Sequence, residues 1–441
     1  MQRTIVGVVK ILVVDTHSHP PVFHAGYSDA VAKLRRTLGP WGSAGIGAAS
    51  MVGAGAFYVW SPAASLAGRF LLISLALAGV VALLNAITIA QLALQHPVSG
   101  GVYHYARRYV SPRAGFLAGW MFMLGKTASA AAIALIAAQY LAPDHTRLLA
   151  ALLIAVFAAA NLTGLRTTAR ISIGLVSIVV VVLVALMVQS PWRMPELGVP
   201  SEVSVYGVAQ AAGLIFFAFA GYARMATLGE EVKNSRVVLP RVIVGTLGAV
   251  LVLYALLALT LLGSVGVEGL AASATPVADM APDSWRLMVV AVASLASLGS
   301  LAAILAGLSR TSMAMAQEGD LPSFLGLVWA RTSSPARAEI TMALAAMTLA
   351  LLVDPLWLVA LSSSAVLSYY AIAHLCALAQ PTHERLAPRL VAWTGLVLCL
   401  ALVAALPWQS LVVGALCLAL GVMVFARVQA YQSRGQIDEG P

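Results

Sequence analysis

The stretch that decides the fold is Ser43–Ala67, SAGIGAASMVGAGAFYVWSPAASLA, which is apolar and long enough for a transmembrane helix. Small residues stand at its centre, where Gly53 and Gly55 flank Ala54. A second stretch, Val205–Leu228, reads VYGVAQAAGLIFFAFAGYARMATL and carries Gly221 in mid-span. Backbone that leaves the helix at the depth of the bilayer needs hydrogen-bonding partners other than lipid. Both stretches are therefore predicted to be helices that are broken within the membrane.

The composition of the whole chain is that of a membrane protein. Of 441 residues, 61% are hydrophobic and only 10% are charged, whereas soluble domains carry about 25% charged residues. Apolar runs of about 20 residues, enough to span a bilayer, recur from one end to the other. We therefore predict an all-α protein with about twelve transmembrane segments, near 43–67, 70–95, 116–141, 148–163, 171–188, 205–228, 242–265, 286–308, 338–353, 356–379, 390–406 and 410–428.

Lys and Arg are distributed unevenly over the predicted loops. With the N-terminus inside the cell, twenty of the 26 fall on the cytoplasmic side. Four fall outside, namely Arg69, Arg147, Arg193 and Arg286, and the other two, Lys126 and Arg224, lie within the apolar segments. Because cytoplasmic loops are enriched in Lys and Arg, we predict a multi-pass protein of the cell membrane with both termini inside. The net charge of +9 reflects this topology, and no nucleic-acid partner is predicted.

The first 32 residues do not continue the membrane pattern. They contain Asp15-Thr16-His17-Ser18-His19-Pro20, and imidazoles at that spacing can share a metal ion. No further ligand cluster follows, so the predicted site is incomplete and no metal is predicted. Residues 1–32 are interpreted as a disordered cytoplasmic tail. An alternative is that the start codon is placed too early and that these residues do not belong to the natural protein.

Six motifs occur in an order that is typical of one family. They are SMVGAGAF at 50–57, PVSGGVYHY at 97–105, GFLAGW at 115–120, FFAFAGY at 216–222, GEEVKNSRVVLP at 229–240 and R-x-x-x-AMAQEGDLP at 310–322. Together they make the chain resemble the amino acid permeases of the amino acid–polyamine–organocation (APC) superfamily, over about residues 34–430. Two loop positions depart from the family, which often has Asn-Pro at Asn234-Ser235 and Ala-Arg-Asp-Gly at 316–319.

The resemblance implies an architecture as well as a class. It implies a transporter domain over 33–430 with a five-plus-five inverted repeat, followed by a cytoplasmic tail at 431–441. Segments 1–5, about 43–188, would be mirrored by segments 6–10, about 205–379, and segments 11–12, about 390–428, would stand outside. Segments 1 and 6 would be the discontinuous helices. Two interrupted helices at matching places in the two halves indicate a transporter's binding site.

The substrate would lie between segments 1 and 6. At the first break, free N–H groups suit a carboxylate, and at the second break free carbonyls near Phe217, Ala218 and Phe219 suit an ammonium. An alternative is that the glycines only allow close helix packing. The residues that the resemblance and these breaks assign to substrate binding are Gly53, Ala54, Gly55, Lys126, Ser129, Phe217, Ala218, Phe219 and Gly221.

Lys126 stands out among single residues. It follows Phe116 by ten residues, which puts it about 15 Å into the bilayer at about 1.5 Å per residue. An ionisable residue at that depth is a functional hypothesis. Lys126 could carry a transported proton, replace a bound sodium ion or contact an anionic substrate group. The alternatives are snorkelling and a hydrogen bond to a backbone carbonyl.

Other polar residues have two interpretations each. Arg224 could close an inner gate with Glu230 or Glu231, or simply neutralise a helix end. Ser297 and Ser300 could hold sodium as the coupling ion, or they could bond back to their own helix. His374 is interpreted as a hydrogen-bonded packing residue rather than a proton relay.

The predicted function is secondary active transport of an amino acid or related amine by alternating access, coupled to protons. An amino acid exchanger, a sodium-coupled permease and a non-transporting nutrient sensor remain alternatives. The chain has no Gly-x-x-x-x-Gly-Lys loop for ATP, and no enzymatic activity or cofactor is predicted. The expected partners are a small-molecule substrate, a proton or sodium ion, and the lipid bilayer.

Overall fold

A computed structural model describes residues 39–96, 101–163, 169–190, 204–222, 232–329 and 334–438. These residues form seventeen α-helices, joined in places by short 3-10 turns. The helices are α1 Pro40–Met51, α2 Ala54–Tyr58, α3 Trp60–Ala67, α4 Leu71–Gln95, α5 Val102–Tyr109, α6 Pro112–Leu141, α7 Thr146–Leu162, α8 Ala169–Gln189, α9 Val205–Phe219, α10 Ser235–Ser264, α11 Gly266–Ala272, α12 Pro276–Asp279, α13 Asp283–Gln317, α14 Ala336–Leu352, α15 Pro355–Ala379, α16 Arg389–Ala405 and α17 Trp408–Asp438.

The predicted all-α membrane fold is confirmed. Nine helical stretches of the described residues are long and apolar enough to cross a membrane, and α16 is a shorter apolar helix. Each predicted segment coincides with helical structure: segment 1 with α1–α3, segments 2 to 5 with α4, α6, α7 and α8, segments 6 to 8 with α9, α10 and α13, and segments 9 to 12 with α14 to α17. The count of twelve spans and the inverted repeat stay predictions.

Helix α6 lies at the centre of the bundle. Its apolar window is 83% buried, against 11% for α17. Helices α13 and α15 pack along α6, and these three correspond to segments 3, 8 and 10. The low burial places α17, which is segment 12, at the periphery of the described helices; the assignment of segments 11 and 12 outside the repeat stays a prediction.

Helix starts follow local chemistry. The hydroxyl of Ser111 accepts a hydrogen bond from the Ala114 N–H and Pro112 takes the first helical position of α6, where its missing N–H costs nothing. Ser204 caps α9 in the same way by accepting from the Gly207 N–H. The largest boundary difference is at α17, which continues to Asp438 rather than ending near 428.

An ion pair joins the two loops that are predicted to be cytoplasmic and precede α6 and α14. Arg107 of α5 donates from Nη1 to Oδ2 of Asp320 at 2.6 Å, and the Tyr103 hydroxyl donates to the same oxygen at 2.6 Å. The Asp320 side chain is 1% exposed. A second pair, Arg147 with Asp354, joins two loops predicted to be external. Each pair thus joins two loops that the sequence places on the same side of the membrane, and which side is cytoplasmic stays a prediction.

We expect Arg107→Ala to destabilise the protein markedly. The substitution leaves the buried Asp320 carboxylate without its cation, and such a loss costs about 3–5 kcal/mol in fully buried pairs. Arg107 itself is 29% exposed, so we expect about half of that. The measurement is the thermal unfolding temperature in detergent.

The matched control is Arg147→Ala, because its pair has the same 2.6 Å separation but side chains that are 46% and 64% exposed. Exposed pairs contribute about 0–1 kcal/mol. Equal shifts of the unfolding temperature in the two variants would contradict the assignment of Arg107 as a stabilising residue.

Candidate substrate site

The first break lies within segment 1, as predicted. Helix α1 ends at Met51, and α2 begins at Ala54. Between them, Val52 has φ −80° and ψ 67° and Gly53 has φ −123° and ψ −147°, so neither is helical. The break is thus at Val52–Gly53, and the expectation that it includes Ala54 and Gly55 is wrong because both belong to the first turn of α2.

The second break follows α9. The helix ends at Phe219, and Ala220–Tyr222 forms a 3-10 turn. Gly221 therefore lies at the interruption, as predicted. The remainder of predicted segment 6, with Arg224, Glu230 and Glu231 of the hypothetical gate, lies outside the described residues.

The two breaks contact each other through glycines. A Cβ atom on Gly221 would stand 1.9 Å from the carbonyl oxygen of Ser50 and 2.7 Å from the Met51 nitrogen. A Cβ atom on Gly55 would stand 2.6 Å from the Cα atom of Ala218. Since these neighbours are backbone, neither position accepts a side chain without displacement. The two interpretations of these glycines, a helix break and close helix packing, therefore both apply at this contact.

Tyr254 of α10 ties the breaks together. Its hydroxyl lies 2.9 Å from the carbonyl oxygen of Met51 and 3.3 Å from that of Ala218, and its single hydrogen is shared between these two acceptors. The ring is fully buried and packs edge-on against Trp60 at 5.7 Å between centroids. One side chain therefore serves the ends of both interrupted helices, where carbonyls lack their intrahelical partners.

We expect Tyr254→Phe to lower both stability and transport. The substitution keeps the ring and removes the hydroxyl donor from the Met51 and Ala218 carbonyls. The Met51 carbonyl keeps the Gly53 N–H at 2.8 Å, so the expected cost is that of one unsatisfied group, about 1–3 kcal/mol. We expect the uptake rate to fall about tenfold, because a tenfold change in rate corresponds to about 1.4 kcal/mol of activation free energy. Uptake and unfolding temperature would be measured on the same preparation.

Tyr206→Phe is the control for this prediction. Tyr206 is 53% exposed, and its hydroxyl makes one long bond of 3.5 Å to the Leu406 carbonyl. We expect it to behave like the wild type. A Tyr254→Phe protein with unchanged uptake would show that the hydroxyl does not position the breaks.

The carbonyls at the second break differ from the sequence-based expectation. We expected free acceptors near Phe217, Ala218 and Phe219. Instead the Phe217 carbonyl accepts the Ala220 N–H of the 3-10 turn, and the Ala218 carbonyl accepts the Tyr254 hydroxyl. The expectation was wrong for these two because the 3-10 turn and the neighbouring helix supply donors.

Lys126 reaches this second break. Its Nζ atom donates to the carbonyl oxygen of Ala220 at 3.4 Å and lies 5.8 Å from the ring centre of Phe122. A hydrogen bond from Lys126 to a backbone carbonyl was one of the alternatives that the sequence left open. The carbonyl that it contacts belongs to the second break, where substrate binding was predicted. One turn further along α6, the Ser129 hydroxyl lies 2.6 Å from that of Ser362 in α15. Ser129 of segment 3 therefore contacts segment 10.

The two candidate aromatic residues differ in their surroundings. Phe219 is fully buried and packs on Tyr254 with ring centroids 5.3 Å apart. Phe217 retains 8% exposure. Both rings therefore belong to the buried core in this conformation, and Phe219 is the more deeply buried of the two.

The candidate sodium ligands bond to their own helix. The Ser297 hydroxyl donates to the Ala293 carbonyl at 2.7 Å and the Ser300 hydroxyl donates to the Ala296 carbonyl at 3.1 Å. Ser300 nevertheless lies against the first break, since a Cβ on Gly53 would stand 2.1 Å from its Oγ. Within the described ranges, no group of three or more His, Cys, Asp or Glu side chains could hold a metal.

Sequence reasoning missed Tyr254 and a buried polar cluster around His374. The signal for Tyr254 was a lone tyrosine in the middle of apolar segment 7. The signal for the cluster was Asn85, Thr88 and Gln91, which recur every third residue in segment 2. Three polar side chains on one face of a membrane helix must face protein or water.

A bundle of apolar helices in which two interrupted helices meet at a partly polar centre is built as a membrane transporter. Comparison with known proteins identifies the family. A family profile described as "Amino acid permease" matches residues 38–426. The chain therefore belongs to the amino acid permease family of the APC superfamily, and this family membership indicates a transporter.

Individual relatives agree with this assignment. An uncharacterized transporter of Mycobacterium tuberculosis strain H37Rv is 41% identical over 93% of this chain and 96% of its own length. The branched-chain amino acid permease BcaP of Bacillus subtilis is 24% identical over 68% of this chain and 71% of its own. The vacuolar cationic amino acid transporter 4 of Arabidopsis thaliana is 27% identical over 80% of this chain and 65% of its own.

Proposed function

We propose that this protein is a secondary active transporter that moves an amino acid or related amine across the cytoplasmic membrane by alternating access, coupled to protons. The observation that carries the proposal is the contact between the two interrupted helices beside Lys126. Gly221 and Gly55 bring the breaks together, and Lys126 donates to the Ala220 carbonyl at the second one. The substrate is proposed to bind here, between α1–α2 and the end of α9.

Lys126 is proposed as the coupling residue. Ammonium and amine differ in charge and in the number of N–H donors. The bond to Ala220 is therefore strong in one protonation state and weak in the other. Because Ala220 belongs to the interrupted helix, gain or loss of a proton biases the position of that helix. A group that binds differently to two conformations shifts the population between them.

The relatives guide the choice of substrates to test. Some carry names that refer to branched-chain or to cationic amino acids. We therefore propose labelled leucine and arginine as first probes, with glutamate, serine and putrescine to cover other charges. Uptake into proteoliposomes driven by a pH gradient, with and without sodium, tests the proposal. Binding of these probes without any uptake would instead favour a sensor.

We also propose that both termini and the loops near Arg107, Lys233 and Arg310 are cytoplasmic. Single cysteines at these places, in a background without Cys376, Cys399 and Cys417, should resist impermeant thiol reagents in intact cells. Labelling should appear after the membrane is permeabilised. Labelling of all three positions from outside would reverse the proposed orientation.

A further inference from the structure

A column of buried polar side chains runs along one face of α4. Asn85, Thr88 and Gln91 are 0%, 2% and 4% exposed, and their three-residue spacing keeps them on neighbouring turns. They face α15 and α16, which pack against α4. Polar groups in the hydrocarbon region are costly and are typical of proton or ion pathways.

His374 of α15 is the centre of this column. Its Nε2 atom lies 2.7 Å from Oδ1 of Asn85, and its Nδ1 atom lies 3.0 Å from Oγ1 of Thr88. An amide oxygen only accepts, so Nε2 carries the hydrogen and Nδ1 of the neutral ring accepts from the Thr88 hydroxyl. The ring is fully buried and abuts Gly395 of α16. Its orientation is therefore fixed on three sides.

These two partners suit the protonated ring equally well. Addition of a proton at Nδ1 turns that atom from acceptor into donor. The Thr88 hydroxyl can then rotate and accept, because a hydroxyl both donates and accepts. The bond from Nε2 to Asn85 is unchanged. The cluster can thus hold the imidazole in either protonation state without any movement of the helices.

Thr88 also connects the ring to the predicted cytoplasmic side. Thr88 and Gln91 line a cavity with space for about one water molecule, together with Arg385 and Arg389. Beyond it, Gln91 donates to Gln380 at 2.6 Å.

The same network reaches the loop surface. The Tyr109 hydroxyl accepts from Gln380 at 3.3 Å and donates to the Glu384 carboxylate at 2.6 Å. Hydrogen-bonding groups therefore continue from His374 to the surface of the loop between α15 and α16.

The other end of the column adjoins the second helix break. Tyr222, in the turn that follows Ala220, stacks on Tyr370 with ring centroids 5.2 Å apart. The Asn85 amide is a further polar neighbour of Tyr222. Among the described residues, the Asn85 Nδ2 atom and both tyrosine hydroxyls are buried without a hydrogen bond of ordinary geometry. Buried polar groups of native proteins are almost always paired, and these three groups are neighbours of one another at this end of the column.

We propose that His374 is a proton-binding site of this transporter, and that it exchanges its proton with the cytoplasm through Thr88 and the adjoining cavity. In the loading step a hydronium ion in the cavity gives a proton to the Thr88 oxygen, and the hydroxyl's own proton passes to Nδ1. The ring gains one positive charge and the hydronium becomes water; release is the reverse. The inference rests on the proposed transport function. It makes His374 a second proton-binding group of the transporter, besides Lys126.

The titratable and charged side chains near His374 come from several elements of the described chain. The surrounding titratable and charged side chains are Tyr222, Tyr370 and Tyr105, the thiols of Cys376 and Cys399, Lys126 toward the break, and Arg385 and Arg389 at the cavity. Tyrosine and arginine titrate well above neutrality in their ordinary ranges, so the His374 ring and Lys126, the proposed coupling residue, are the groups proposed to change charge here.

His374→Gln tests the proposal. A glutamine can donate to Asn85 and accept from Thr88, but it cannot take up a proton. Exchange of the probe amino acid with the largest uptake would be measured in vesicles of known orientation, with the cytoplasmic-side pH varied from about 5 to 8. We expect the wild-type rate to change at least about fivefold over this range and the variant rate less than about twofold. The dependence on external pH should persist in the variant.

A second measurement does not depend on transport. The difference between the ¹⁵N-histidine spectra of wild type and His374→Gln isolates the His374 signal, which should change from neutral to protonated as the pH is lowered. Thr88→Val should reduce the proton affinity by about tenfold, because the charged ring loses one acceptor.

Cys399→Ala serves as the control, since Cys399 bonds to the same Asn85 oxygen at 3.2 Å and takes no part in the proposed path. It should keep the wild-type pH response. Two results overturn the proposal: a His374→Gln protein with the wild-type response to cytoplasmic pH, or a ring that stays neutral throughout. If no probe is transported, the proposed function fails, and the spectra still decide whether His374 binds a proton.

Discussion

Replacing Gly221 by alanine is expected to abolish amino acid uptake while the protein still inserts in the membrane. The new Cβ atom would stand 1.9 Å from the carbonyl oxygen of Ser50 and 2.2 Å from its carbonyl carbon. Backbone at that distance cannot turn away, so the two helix breaks must separate. Overpacking costs about 1–3 kcal/mol, and here it acts directly on the proposed site. We expect uptake to fall more than about tenfold.

Gly55→Ala should have a similar effect, because its Cβ would stand 2.6 Å from the Cα atom of Ala218. Gly53→Ala should be milder, because its nearest neighbour is the Ser300 hydroxyl, which can rotate. Gly248→Ala is the matched control, since nothing lies within 4 Å of that Cβ position. Uptake assays and membrane yields would be compared for all four. Normal uptake by Gly221→Ala would contradict the placement of the site at the breaks.

Lys126→Ala is expected to lose proton-driven accumulation and to keep part of the substrate exchange. The variant lacks the group that donates to the Ala220 carbonyl at 3.4 Å, so protonation no longer biases the interrupted helix. Exchange needs no net proton movement and should survive at a reduced rate. Accumulation against a gradient, driven by a pH difference, should fall to the level of protein-free liposomes. Wild-type uptake should depend on pH and not on sodium.

Ser297→Ala distinguishes the competing sodium hypothesis. Because Ser297 and Ser300 donate to their own helix at 2.7 and 3.1 Å, we expect the variant to accumulate substrate like the wild type. Sodium-dependent uptake that is lost in Ser297→Ala would favour sodium as the coupling ion. A Lys126→Ala protein with the wild-type pH profile would show that the lysine is structural.

The sequence alone determined the membrane fold and the two helices that are broken, and it placed the first break about one residue too far along the chain. Apolar runs of membrane-spanning length identify helices because the backbone has no other partner in lipid. Small residues in mid-span predicted the interruptions, and the structure has them at Val52–Gly53 and after Phe219. Lys126 was identified from its depth alone, because a charge in the hydrocarbon region is rare enough to be informative.

Only the tertiary structure decided which groups meet. The contact of Gly221 with Ser50 and the bridge from Tyr254 to Met51 and Ala218 join residues far apart in the chain, and no local pattern specifies such pairs. For the same reason, the acceptors expected near Phe217 and Ala218 were found to have donors from the turn and from α10. Segment periodicity fixes which face of a helix is buried, whereas the partner on that face depends on how all the helices pack.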